Sequence, residues 1–219
     1  MRSRVILPAP RVPRSMLRGL VLAAVFCLPV SAMAQSPWTL LEKLRTGLQS
    51  VGPQTAAFTQ TYVPAGFSSG DQESGHLSLW LPDCMRWSYE DPQVKNFLVC
   101  EGEVYYWTDE EPGGRHYQVD PEREAGLDLL LLSVDRLRER YVASSDKDGE
   151  GRYEITLVQP AEEGSFSAKI LLDPSQERLE RLEYTDAEGN TTRFMINEYE
   201  RLAHTALFKP PSEIEWTHE

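Results

Sequence analysis

No HExxH helix, Walker loop or GxGxxG turn occurs in the 219 residues, so the common motifs of zinc hydrolysis, nucleotide binding and dinucleotide binding are missing. The serines beside Gly75 and Gly164 carry no flanking pattern that marks a nucleophile. Cysteine is scarce: Cys27, Cys84 and Cys100 are the only three, none in CxxC spacing, and His76, His116, His204 and His218 lie far apart. No metal site and no cofactor are expected from such a set. Long apolar runs are also lacking. The longest, Gly19–Val30, falls well short of the ~20 residues a membrane span needs, and Leu129–Leu132 is far shorter.

Acidic residues are absent from the first 34 positions, which hold Arg2, Arg4, Arg11, Arg14 and Arg18. A basic start, a short apolar core and Ala32-Met33-Ala34 in small-x-small order read as a signal peptide cleaved after Ala34. Residues 1–34 are therefore assigned as the leader and 35–219 as one domain. Phe26 precedes Cys27 where a lipobox needs a small residue, so Cys27 leaves with the leader. What remains has 17 basic against 34 acidic side chains, a net charge of −17. Phosphate backbones and anionic lipid surfaces are bound chiefly through Lys and Arg, so nucleic acid is not an expected partner. With no apolar run of spanning length after the leader, the body is not expected to be embedded in a membrane.

Ser36-Pro37 starts a helix along which Leu40, Leu41, Leu44 and Leu48 recur, and Gly52-Pro53 ends it. Period-two alternation then dominates. Strands are read at Ala57–Val63, around Leu77, Leu79 and Leu81, at Met85–Tyr89, Asn96–Cys100, Val104–Trp107 and Arg115–Val119, with Pro64–Gly75 as a loop. Leu127–Val142 switches to helical spacing, with Leu130, Val134, Leu137 and Tyr141 on one face and a break near Ser133. Tyr153–Val158, Phe166–Leu172, Leu179–Thr185 and Thr191–Tyr199 follow, and Phe208–Trp216 is a last extended piece interrupted by Pro210-Pro211. Strands at short, even spacing predict an antiparallel sheet curling towards a barrel.

A hairpin centred on Pro92 pairs residues whose numbers sum to 184. Cys84 then faces Cys100, Arg86 faces Leu98 and Trp87 faces Phe97. That register puts Met85, Trp87, Phe97 and Val99 on one face and the two cysteines with Arg86 on the other, predicting a cross-strand disulfide on the outer face. Only two short helical segments are available to cover the apolar face, and sheets covered so sparsely often enclose a ligand cavity.

Phe58-Thr59-Gln60, Gly75-His76-Leu77-Ser78-Leu79, Pro82, Met85-Arg86-Trp87-Ser88-Tyr89, Pro92, Lys95, and Phe97-Leu98-Val99 before Gly102 stand in an order that resembles the LolA family of periplasmic lipoprotein carriers. Asp186–Thr192 with Phe194, and Leu207-Phe208-Lys209-Pro210-Pro211, resemble its late hairpin and closing strand. The resemblance implies a mainly β (α+β) fold, an unclosed antiparallel β-barrel of about eleven strands with a helical lid. It also implies a monomeric, non-enzymatic periplasmic chaperone. Such a carrier takes acylated lipoproteins from an inner-membrane lipoprotein-releasing ABC transporter and passes them to an outer-membrane acceptor. By position the acyl-chain cavity comprises Phe58, Leu77, Leu79, Leu81, Met85, Trp87, Phe97 and Val99, and the lid Leu40, Leu41, Leu44, Leu130, Leu131 and Val134. The resemblance also places an arginine, donating to lid carbonyls, immediately before Pro82, where this chain has Leu81. With no donor there, either Arg86 substitutes or the lid is held by apolar contact alone, and the register points Arg86 outward. A specialised carrier of another envelope lipid, or a secreted hydrolase with a scattered triad, stays as the alternative.

Overall fold

The computed structural model describes residues 35–120, 127–160 and 166–218; the expected leader, residues 1–34, lies outside them. Helix α1 (Pro37–Val51) starts with Pro37 at its first turn and ends at Gly52, whose φ of 77° only glycine adopts freely. It buries Leu40, Leu41, Leu44 and Leu48. Ten antiparallel and one parallel pairing join twelve strands into one sheet. They are β1 (Gln54–Val63), β2 (Asp71–Trp80), β3 (Cys84–Asp91), β4 (Lys95–Cys100), β5 (Glu103–Thr108), β6 (Gly113–Gln118), β7 (Val142–Lys147), β8 (Tyr153–Val158), β9 (Ser167–Asp173), β10 (Arg178–Thr185), β11 (Thr191–Arg201) and β12 (Glu215–His218). The order across the sheet is β12-β6-β5-β4-β3-β2-β1-β11-β10-β9-β8-β7, so β7 and β12 are distinct edges and the sheet is unclosed.

Between β6 and β7 lie α2 (Leu127–Leu131) and α3 (Val134–Arg140). The break falls at Ser133, whose side chain accepts a hydrogen bond from the Arg136 backbone N–H and so caps α3. Asp135 in the first turn and Arg138 and Arg140 in the last complement the α3 dipole. Leu130, Val134, Leu137 and Tyr141 are all buried, as their spacing predicts.

The β3–β4 register matches the arithmetic of the sequence. Cys84 pairs with Cys100, Arg86 with Leu98 and Trp87 with Phe97, and Cys84–Cys100 is a disulfide. Three pieces differ from expectation. Strand β2 begins at Asp71, inside the segment read as loop; β7 is an additional strand; and the chain after Phe208 contributes only the four residues of β12, paired in parallel with β6. Leu81 stands in the turn after β2 rather than on the strand, yet its side chain is buried.

Two apolar clusters flank the sheet. The large one fills the concave face under the helices, running from Leu40 and Leu48 through Phe58, Leu77, Met85 and Trp87 to Ile155, Leu172 and Phe194. The small one lies on the convex face, where Cys84, Leu98, Trp107 and Phe208 pack with Trp80, Tyr105, Ile214 and Trp216. The chain after β11 is strapped over that convex face. Arg86 holds it there, donating to the Leu207 carbonyl at 3.3 Å and to Asn96 Oδ1 at 2.9 Å while its guanidinium lies 4.8 Å from the Trp107 ring centre.

Candidate functional site

The concave face is organised in cross-strand rows. Ala56, Leu77, Trp87, Phe97, Tyr106 and Arg115 are successive partners across β1 to β6, and Gln54, Leu79, Met85, Val99, Val104 and Tyr117 form the row beside it. Strands about 4.8 Å apart in the pairing direction bring side chains of one row into contact. Phe58 packs edge-on to Trp87 and Tyr89, ring centres 5.1 and 5.0 Å apart, and Phe194 closes the group 4.6 Å from Trp87.

Of the residues expected to line a cavity, Phe58, Leu77, Leu79, Leu81, Met85, Trp87 and Val99 are buried in this one cluster and Phe97 is half-buried at its margin. Of those expected in a lid, Leu40, Leu41, Leu44, Leu130 and Val134 are buried against the same cluster and Leu131 is half-buried. The two sets therefore meet. Among the described residues a pocket of about 20 Å³ lies between them, lined by Leu41, Leu44, Leu81, Leu130, Leu137 and Leu182. That is room for about one water molecule.

Arg45 is the side chain that sequence reasoning missed. It projects from α1 into the leucine pocket with only 9 % of its surface exposed. Its Nη1 donates to the Leu130 carbonyl at 2.8 Å and its Nη2 to the Leu131 carbonyl at 3.3 Å. These are carbonyls of the last turn of α2, unpaired within the helix and carrying the negative end of its dipole. Burial pulls the Arg45 pKa down, with Glu42 opposing, but a guanidinium stays charged in any ordinary environment. The bond between the two helical segments thus comes from neither Arg86 nor apolar contact alone. Leu81 lines the same pocket as Arg45, so the donor sits on the helix and the leucine in the turn that follows β2. A signal was present: Leu41, Arg45 and Leu48 fall at i, i+4 and i+7, which puts the arginine on the apolar stripe.

At the far end of the concave face the lining turns polar. Tyr89 Oη donates to Gln60 Oε1 at 2.6 Å, and Lys95 Nζ bonds Glu73 Oε1 at 2.6 Å while lying 4.5 Å from the Tyr89 ring centre. Burial, and then the charge of Glu73, push the Tyr89 hydroxyl far above its usual range. Next to Phe97 the face opens into a groove of about 370 Å³ bounded by Phe97, Tyr106, Arg115 and Tyr117.

Gly66-Phe67-Ser68-Ser69-Gly70 has the spacing of a nucleophile elbow but is the exposed tip between β1 and β2. Strand–turn–strand lacks the strand-to-helix turn that an elbow requires, and among the described residues no side chain hydrogen-bonds Ser68. Among the described residues no three or more His, Cys, Asp or Glu side chains are placed to hold a metal, and no helix is long and apolar enough to cross a membrane.

A curved, unclosed antiparallel sheet whose concave apolar face is covered by two helical segments defines the class of protein. The family model described as outer membrane lipoprotein carrier protein LolA matches residues 49–210, and the chain belongs to that family. The outer-membrane lipoprotein carrier protein of Methylobacillus flagellatus is 25% identical over 172 residues, covering 75% of this chain and 82% of the relative. That of Bordetella pertussis is 24% identical over 178 residues, covering 80% and 83%. A crystal structure of an uncharacterized conserved protein from Thermus thermophilus is similar in fold, with a TM-score of 0.55 at 12% identity over 84% of this chain and all of that one.

Proposed function

We propose that the protein is a periplasmic carrier that shields the acyl chains of lipoproteins in its concave face and moves them from the inner to the outer membrane, α1 to α3 acting as the lid. Exposing acyl chains to water is unfavourable by about 0.8 kcal/mol per methylene, which a soluble carrier must offset with apolar surface of its own. The observation that carries the reading is the Arg45 bond to the Leu130 and Leu131 carbonyls above a leucine-lined interior. Two polar contacts hold shut an otherwise apolar seam, and opening them uncovers the surface that a chain would occupy. Cys84, Leu98 and Trp107 face away from that surface, so the convex cluster is left intact when the helices swing out. Residues 1–34 serve as the export signal in this reading. Lipoprotein arrives from an ATP-driven extractor and leaves for an acceptor that binds the chains more favourably, since transfer follows the difference in affinity.

The test is purification from periplasm without detergent, followed by intact and peptide mass spectrometry, and incubation of the empty protein with spheroplasts. Acylated lipoproteins in near-stoichiometric amount, or released from spheroplasts into a soluble complex, are the expected result. Free lipid in their place would reassign the carrier to another cargo. An empty protein that takes up neither would overturn the reading.

A further inference from the structure

The groove beside Phe97 is set apart from the dry interior by its chemistry. It continues the row that starts at Ala56 and Leu77, so its aromatic floor is contiguous with the apolar centre through Trp87 and Phe97. The Phe97 and Tyr106 rings lie 4.7 Å apart, and the Arg115 guanidinium sits 5.6 Å from the centre of the Tyr106 ring. Unlike Lys95, which is neutralised by Glu73, Arg115 makes no ion pair or hydrogen bond with a described residue and is exposed to solvent. A cation left unpaired is notable in a chain whose acidic side chains outnumber the basic ones 34 to 22.

A guanidinium held over an aromatic plane presents a flat fork of N–H donors that matches a carboxylate. Three strand spacings, about 14 Å, separate the Trp87 and Arg115 positions of the row, a distance a long alkyl chain spans when laid along it. We propose that this groove is a head-group subsite for a long-chain carboxylate: Arg115 binds the carboxylate, Tyr106 and Phe97 carry the first methylenes, and the chain continues past Trp87 under the helices. The inference rests on the acyl-carrier reading above in using the same interior, while its ligand is a free long-chain acid, distinct from the ester- and amide-linked chains of a lipoprotein.

The experiment is equilibrium binding of dansyl-labelled undecanoic acid and of its methyl ester to the periplasmic protein and to its Arg115→Gln variant. The two probes share a chain and differ by one charge. The wild type should bind the acid about tenfold more tightly than the ester, as one charge-assisted contact provides. Arg115→Gln should abolish that preference by weakening the acid far more than the ester, whereas Arg115→Lys should keep part of it. Equal binding of acid and ester by the wild type, or a preference that survives in Arg115→Gln, overturns the subsite while leaving interior binding intact. Failure to bind either probe overturns the subsite as well, and the periplasmic co-purification then decides the carrier reading separately.

Discussion

Replacing Arg45 with methionine tests whether the helices are held by polar contacts or by packing. The substitution keeps an unbranched apolar stem in the pocket and removes both donors. Two large effects then oppose each other: the charge-assisted bonds to Leu130 and Leu131 are lost, and so is the penalty of holding a cation among leucines. What remains is the Leu130 carbonyl, buried and unpaired, which costs about 1–3 kcal/mol and recovers that energy when the helix lifts into water. If the helices act as the lid proposed above, they should therefore open about 5- to 150-fold more often. Hydrogen–deuterium exchange resolved by mass spectrometry reads this directly. Amides of α2 and α3 should exchange faster by that factor, while those of β3 and β10 change by less than about threefold, because the sheet ladder is untouched. Unchanged protection of α2 and α3 would mean that leucine packing alone holds the helices and that the Arg45 bonds contribute nothing to closure. Equal acceleration across the sheet would mean that Arg45 stabilises the whole fold rather than the lid.

Leu81→Arg should destabilise the protein by more than about 2 kcal/mol in urea unfolding, since it places a second guanidinium in the Arg45 pocket without a carboxylate; in the Arg45→Met background the loss should shrink, and equal losses in the two backgrounds would show that the side chains do not meet. Reduction of Cys84–Cys100, separated by 16 residues, should lower stability by about 3 kcal/mol by the chain-entropy model, measured as the shift in urea midpoint with and without reductant. Asp173 accepts from the Ser175 hydroxyl at 2.6 Å, the Ser175 N–H at 2.8 Å and Gln176 Nε2 at 2.9 Å, and these bonds, the Ser175 hydroxyl foremost, hold its carboxyl below the usual range. A depressed carboxylate stabilises the fold above its unfolded value of about 3.9 and loses that contribution as pH falls through the lower folded value. Asp173→Asn should therefore unfold at lower urea than wild type at pH 7, with the gap closing below pH 4.

The alternating strands were legible because one face is dry: Met85, Trp87 and Val99 are buried, and the register through Cys84 and Cys100 follows from one turn position. Strand β7 was not, because Val142-Ala143-Ser144-Ser145-Asp146-Lys147 is an edge strand with Val142 63 % exposed, and without a buried face it carries no alternation. The first half of β2 hid for another reason. Its inward Glu73 is satisfied by Lys95 from β4, a partner 22 residues away that no local pattern announces. Arg45 was obscured by its type, since an arginine on a helix is ordinarily taken for the wet side. The leucines around it were found by spacing, but what joins them depended on carbonyls that sequence does not display.

The strap over the convex face gives β3 to β6 an anchorage of their own. Trp107, Phe208, Trp216 and the disulfide hold these strands from behind, so their order does not depend on what lies in front. A sheet supported on one side only would lose its cooperative partner each time its lid lifted. In the carrier proposed above, the wall offered to a guest is also the wall that is braced from the back, so that emptying or filling the front would be a local event in a molecule that stays folded.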